Sequence, residues 1–369
     1  MNGDHFHAPR GDDTAVPAAG APVRERFQAR EIAQVLSHFD LGVIREIREY
    51  RRGSRRAAKL KVSSERGDFL LKRRALGVTL ERSRERASAC HAVQARAASA
   101  GVQVARLERL RSGGTLLELG DRLYELAEWV AGERYGRHPE QARSAGDALA
   151  RMHRAFDGFE LLEELPEGGF SELADVRRAL ARAQERARER TASGARAQLD
   201  ASIAAMSAHL DRVEAKLTTK GLFLQRSSIC HGDFHPGNTL WSGDILAAVI
   251  DFDSARRESV AAELSNAMLQ FAVKHRVGED PLAWPVGLDA ENLRAFADGY
   301  AARSTVAPAE IAPFVPWLMM SAIVAEAAAP IARDGDFAGI PAEPFLRATT
   351  ALVDWISHRT RAISSVLAP

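Results

Sequence analysis

The densest run of polar residues in the chain is Cys230-His231-Gly232-Asp233-Phe234-His235-Pro236-Gly237-Asn238-Thr239, followed downstream by Val249-Ile250-Asp251-Phe252-Asp253. Polar density of this kind does not suit a core strand, and Pro236-Gly237 forces a loop. Apolar runs from Thr239 to Trp241 and from Ala247 to Ile250 flank that loop as short strands joined at Ser242-Gly243, so that one hairpin holds both polar segments side by side. The residue types suit phosphoryl transfer from a nucleotide. That reaction needs a carboxylate to orient the attacking hydroxyl and oxygen ligands to hold Mg2+ on the phosphates. In the D-x-x-x-x-N spacing Asp233 is the base or hydroxyl-orienting residue, Asn238 a Mg2+ ligand through its amide oxygen, and Asp251 the principal carboxylate ligand. Asp253 either assists the metal or caps the next element. His231, Asp233 and His235 alternate and could be the ligand set of a metal hydrolase, but that reading explains neither Asn238 nor Asp251. His231 is better read as a loop residue bonded to the backbone.

The segments HGDFHPGN and IDFD resemble the catalytic and metal loops of the superfamily of aminoglycoside phosphotransferases, choline kinases and type II homoserine kinases. Its members share a protein-kinase-like fold and phosphorylate hydroxyl groups of aminoglycosides, choline, ethanolamine, homoserine, fructosamines and sugars. The resemblance covers residues 40 to 330 and implies ATP or GTP and Mg2+ as cofactors, a two-lobed cleft, a glycine-containing loop over the phosphates and a strand lysine that touches them. Gly53 and Ser54 lie in the turn where that loop belongs, and Lys72, at the end of Gly67-Asp68-Phe69-Leu70-Leu71, resembles the lysine. Its neighbours Arg73 and Arg74 are read as solvated. In kinases such a lysine pairs with a helix glutamate, for which Glu85, four residues after Glu81 on the following helix, is the expected partner. By analogy, the backbone of Glu128 and Val130 in the connection between lobes meets the adenine edge. Glu326 interrupts an apolar helix from Val315 to Ala329, as an acid either paired in the core or lining a pocket; with His235 it is a candidate for contact with the acceptor. Gly232 stands where protein kinases carry the arginine that receives a phosphorylated activation loop, so constitutive activity on a small molecule is expected.

The elements that position these residues follow an α+β order. Residues 1–24 have the composition of a disordered tail. Residues 25–127 form an N-terminal nucleotide-binding lobe with a helix over Arg26 to Phe39, strands at Gly42 to Tyr50, Ala58 to Val62 and Asp68 to Lys72, a helix from Thr79 to Ala100, and strands at Gln103 to Leu107 and Leu116 to Val130. Residues 128–132 form the hinge. Residues 133–369 form a mainly helical C-terminal lobe, carrying the catalytic loop 231–238, the metal loop 250–253 and a helical hairpin insertion over about 171–217, broken at Ser193-Gly194.

Bulk composition sets limits. A chain of 369 residues with 46% hydrophobic and 27% charged residues can bury a sizeable core, and a net charge of +1 gives no global field toward nucleic acid or an acidic membrane. The basic cluster Arg45, Arg48, Arg51, Arg52, Arg55 and Arg56 is interleaved with Glu46 and Glu49, as on a solvated face. Cys90 and Cys230 form no CxxC, and no run of roughly 18 uninterrupted apolar residues suggests a membrane span. The expected setting is the cytoplasm, with a small-molecule hydroxyl substrate and neither nucleic acid nor membrane as partner. A protein serine/threonine kinase and a non-catalytic nucleotide-binding module of the same fold are the alternatives.

Overall fold

The computed structural model describes residues 26–50, 57–77, 79–220, 227–274 and 280–367. The tail assigned to residues 1–24 and the turn carrying Gly53 and Ser54 lie outside these residues.

The smaller lobe is a five-stranded antiparallel sheet built from β1 (Ile44–Glu49), β2 (Ala58–Ser64), β3 (Gly67–Arg73), β4 (Leu116–Leu119) and β5 (Arg122–Glu128), in the order β1-β2-β3-β5-β4. Helix α1 (Ala29–Leu36) packs on it, and Val35, Leu36, Phe39, Leu60, Val62, Leu71, Tyr124 and Leu126 form its core. Between β3 and β4 runs α2 (Leu80–Ser99), started by the Thr79 hydroxyl, which accepts the amide N–H of Arg82, and stopped at Gly101 with φ +80°. Its buried Ala89, Cys90, Val93 and Ala97 belong to the core of the larger lobe rather than to that of the sheet. The strand expected at Gln103 to Leu107 is replaced by two single bridges, Val104 to Val249 and Leu107 to Ala127. The chain there passes from one lobe to the other, so successive residues do not pair with one strand.

The larger lobe comprises α3 (Pro139–Phe156), the hairpin α4 (Leu173–Arg190) and α5 (Arg196–Lys220), β6 (Ser227–Cys230), β7 (Thr239–Ser242), β8 (Ile245–Val249), β9 (Arg256–Ser259), α6 (Val260–Ala272), α7 (Ala290–Ala301), α8 (Pro308–Ile311), α9 (Val315–Asp334), β10 (Asp336–Phe337), β11 (Ile340–Pro341), α10 (Ala342–Ser357) and α11 (Thr360–Ser364). The pairs β6–β9 and β7–β8 are antiparallel ribbons that frame the polar loops, and Gly243 turns the second of them at φ +58°. Trp241 of β7 is fully buried, and its backbone exchanges hydrogen bonds of 2.7 and 3.0 Å with Glu133 just beyond the hinge. Helix α9 is long and apolar enough to cross a membrane by length and composition, but 67% of that window is buried within the protein, which makes it a core helix.

Helices α3 and α7 cross at contact distance because each places a glycine there. A Cβ on Gly146 would lie 2.1 Å from the Phe296 carbonyl oxygen, and one on Gly299 would lie 2.0 Å from that of Arg143. Both obstacles are backbone and cannot rotate away. Gly146→Ala should therefore destabilise the protein by about 3 kcal/mol through overpacking, seen as a fall in the urea midpoint; an unchanged midpoint would mean that the helices separate without cost.

Candidate active site

Strand β6 delivers the chain into the polar loop, and a buried carboxylate from α6 holds it there. Glu263 accepts the amide N–H of His231 (3.2 Å) and of Gly232 (2.6 Å), and also the Nε2–H of His153 (2.7 Å), whose Nδ1 accepts the Tyr300 hydroxyl (2.9 Å). Burial alone would raise the Glu263 carboxyl, but His153, His231 and the Gly232 amide outweigh it and hold the group down at about 2. Gly232 sits at φ +81°, and a Cβ there would lie 2.0 Å from the Ser254 carbonyl oxygen. The loop thus passes so close to the downstream segment that only glycine fits. Arg256 of β9 fixes the other side, donating to the Gly232 carbonyl (2.7 Å) while its guanidinium forks onto Glu258 (2.9 and 2.8 Å).

His231 is fully buried and binds the backbone, its Nε2 on the Ile250 carbonyl (3.2 Å) and its Nδ1 accepting the Asp233 amide (3.3 Å). It therefore ties the two polar segments together. Asp233 faces the cleft, where Asn238 donates its amide to both the Asp233 carbonyl (2.9 Å) and carboxylate (3.0 Å). With the amide nitrogen engaged, Asn238 Oδ1 accepts no hydrogen bond among the described residues and is available as a ligand. His235 caps the 3-10 turn Pro236–Asn238 through Nδ1, which accepts the Gly237 amide, and brings Nε2 to 3.6 Å from the Asp233 carboxylate. Burial pushes the Asp233 carboxyl up, yet His235, His231 and Asn238 together leave it below the usual range, so Asp233 is ionised at neutral pH. Asp251 occupies the left-handed region at φ +63°, a conformation that costs a non-glycine residue free energy and is typical of functional positions.

From the smaller lobe, Lys72 of β3 and Arg74 just after its end face these acids. Lys72 Nζ lies 2.5 Å from Asp253, 3.6 Å from Asp251 and 3.3 Å from Glu125 of β5. Arg74 contacts Asp253 (2.8 Å) and Glu125. Burial would lower both cations, and the carboxylates around them more than reverse that. Arg73 and Arg74 are thus not solvated: Arg73 is buried against Glu31 at 2.8 Å, and the Arg74 side chain is only 9% exposed. Glu85 likewise departs from expectation. It is exposed near the start of α2 and forms no ion pair among the described residues, because that helix turns Cys90 and His91 inward at the level of the cleft. Glu125, Arg74, Glu263, Arg256 and Glu258 escape sequence reasoning, since they meet the site from β5, from just past the end of β3, from α6 and from β9 with no local spacing to flag them.

At the hinge, the Glu128 amide is bonded to the Arg106 carbonyl (2.7 Å) and that of Trp129 to Asp68 (2.9 Å), whereas the Val130 amide has no backbone partner among the described residues. Glu326 of α9 is half-buried, with its carboxylate receiving the side-chain amides of Asn266 (2.9 Å) and Gln270. It is close enough to Asp233 and His235 to feel both charges, and burial chiefly pushes its carboxyl up to about 7. Among the described residues, one group has ligand atoms gathered as a metal site would, His153, Cys230 and Glu263, within 4.8 Å of one another. Its polar atoms are already engaged in hydrogen bonds, and the group is structural.

The Glu263 clamp is a source of acid sensitivity. Its folded value lies below the ordinary 4.5, so the stabilisation is complete above pH 4.5 and is lost as pH falls toward 2. Glu263→Gln should cost about 3 kcal/mol at pH 7, and the gap from the unsubstituted protein should narrow at pH 3 when urea unfolding is compared at both values. A gap that is constant with pH would contradict the clamp.

Residues 46–314 match the family model described as "Phosphotransferase enzyme family". A homoserine kinase of Allorhizobium ampelinum is 30% identical over 208 residues, 55% of this chain and 56% of its own, so the match spans little more than half of that relative's length. The fold is similar to that of an aminoglycoside phosphotransferase from Alicyclobacillus acidocaldarius (TM-score 0.63, 17% identity, 94% of this chain and 97% of that one). It is also similar to a microcompartment-associated aminopropanol kinase (TM-score 0.63, 15% identity, 91% and 99%). The fold is therefore the two-lobed kinase-like one, and on the match across residues 46–314 the chain belongs to the phosphotransferase enzyme family.

Proposed function

We propose that the protein transfers the γ-phosphate of ATP or GTP to a hydroxyl group of a small molecule bearing an ammonium group. The observation that carries the reading is the convergence of Asp233, Asn238 and Asp251 on the cleft, with Lys72 of the opposite lobe 3.6 Å from Asp251. The donor set is all hard oxygen (the Asp251 carboxylate and the open Oδ1 of Asn238), which fits Mg2+. Bound there, Mg2+ would neutralise charge on the phosphates. Lys72 and Arg74 supply further positive charge from the opposite wall. Asp233, kept ionised, accepts the proton of the acceptor hydroxyl as it aligns for in-line attack. The hinge residues Glu128 and Val130 take the adenine or guanine edge.

In this reading Glu326, with His235, selects the acceptor; its position within reach of the Asp233 and His235 charges supports that role. Above pH 7 its carboxylate is charged and attracts an ammonium group; below that value it is neutral. Amino alcohols and homoserine are the first acceptors to try, in view of the homoserine kinase and aminopropanol kinase among the similar proteins.

Transfer from labelled ATP and GTP, with Mg2+, to amino alcohols, amino acids, sugars, aminoglycosides and generic proteins tests the reading. A small-molecule product is expected, and Asp233→Asn should lower kcat by roughly 10²- to 10⁴-fold while nucleotide binding persists. Near-full turnover in that variant would remove Asp233 from its role, and a protein-only product would overturn the small-molecule reading. For the acceptor, KM should fall as pH rises through about 7. In Glu326→Gln that dependence should vanish and KM should rise roughly tenfold, as for loss of one charge-assisted contact; an unaltered pH profile would contradict the assignment.

A further inference from the structure

In protein kinases the phosphate-contacting lysine pairs with a glutamate of a mobile helix, and the position of that helix controls the pair. Here none of the three acids beside Lys72 comes from helix α2: Asp253 and Asp251 reach it from the larger lobe, and Glu125 from within its own sheet. Lys72 and Glu125 are directly opposed residues of neighbouring antiparallel strands, β3 and β5, and both side chains are only 10% exposed. Cross-strand neighbours of opposite charge are held by the sheet itself. Glu125 is in turn fixed on every side. Its Oε1 faces Lys72 at 3.3 Å, and its Oε2 takes Arg74 and the Nε2 of His91 at 2.8 Å, while His91 Nδ1 bonds the Thr115 hydroxyl at 2.8 Å. Burial alone would raise the Glu125 carboxyl, yet the cations around it leave the group well below its ordinary value and charged.

Helix α2 is correspondingly not free to swing. Its Ala89, Cys90, Val93 and Ala97 are built into the core of the larger lobe, and Arg86 donates to the Asp253 carbonyl at 2.8 Å. The glutamates at its start, Glu81 and Glu85, are exposed.

We propose that Glu125 is the positioning residue for Lys72, and through Arg74 for a second cation of the phosphate site, so that the lysine–glutamate pair is permanently formed within one sheet rather than made and broken by a helix. The inference rests on the reading of Lys72 as a phosphate contact. The consequence is a nucleotide site that is assembled before nucleotide arrives, with no helix movement available to switch it.

The test is equilibrium binding of ADP and Mg2+ by calorimetry, followed by steady-state kinetics, on the full chain and on Glu125→Gln and Glu85→Lys. Glu125→Gln should weaken nucleotide binding roughly ten- to hundredfold and raise KM for the nucleotide, with KM for the acceptor unchanged, because the charge that positions Lys72 and Arg74 is lost. Glu85→Lys, a substitution at an exposed position that the fold tolerates, should bind ADP within about twofold of the parent. Loss of nucleotide affinity in Glu85→Lys would overturn the proposal even if Glu125→Gln failed to fold. So would parental ADP affinity in a folded Glu125→Gln, or a rise in the acceptor KM as large as that for nucleotide. Failure of the parent protein itself to bind ADP would instead refute the kinase reading beneath it.

Discussion

The arrangement of both lobes depends on how five charged groups neutralise one another across the cleft: Lys72 from β3 and Arg74 just after it, Glu125 from β5, and Asp251 and Asp253 from the loop after β8. None of these charges could be buried singly at acceptable cost. Together they form a network in which every member has an opposite partner, and that network closes one lobe against the other. Under the proposed function it also arranges the charge that phosphoryl transfer requires, with cations on the sheet side and carboxylates on the loop side. Stability and the proposed function thus draw on the same contacts, and the strained backbone of Asp251 is held by this closure.

A second layer keeps the loop in register. Glu263 gathers two backbone amides of the loop and His153, and Arg256 bridges the Gly232 carbonyl to Glu258. Glu258 reaches further, accepting the amides of Phe170 and Ser171 just before α4, so that the helical hairpin is joined to the loop through one carboxylate. The Arg256 guanidinium lies 4.9 Å from the centre of the Phe170 ring, on the same path. The polar loop therefore carries little freedom of its own, as a preorganised site requires.

Much of this was legible in the sequence because its signals are local. Pro236-Gly237 and the alternation around it mark the loop, the spacing of Asp233, Asn238 and Asp251 marks the oxygen donors, and the apolar periodicity marks the α+β order of the elements. What was not legible depends on pairing between distant segments. Helical i, i+4 spacing pointed to Glu85, on the exposed side of α2, whereas the register of β3 against β5 places Glu125 beside Lys72. Arg74 looks solvated next to Arg73 in the sequence, and is buried because the 253 carboxylate arrives from 179 residues away in the chain, the separation of positions 74 and 253. His153 carries no local signal of its partners in the sequence, and Tyr300 and Glu263 reach it only through the fold.

The most direct measurement is a crystal structure of the full chain with Mg2+ and a non-hydrolysable ATP analogue. The account predicts a metal coordinated by Asn238 Oδ1 and Asp251, Lys72 Nζ on a phosphate oxygen while still beside Glu125, and Asp233 facing the open side of the γ-phosphate. Phosphates bound away from Lys72, or a metal held by neither Asn238 nor Asp251, would contradict it.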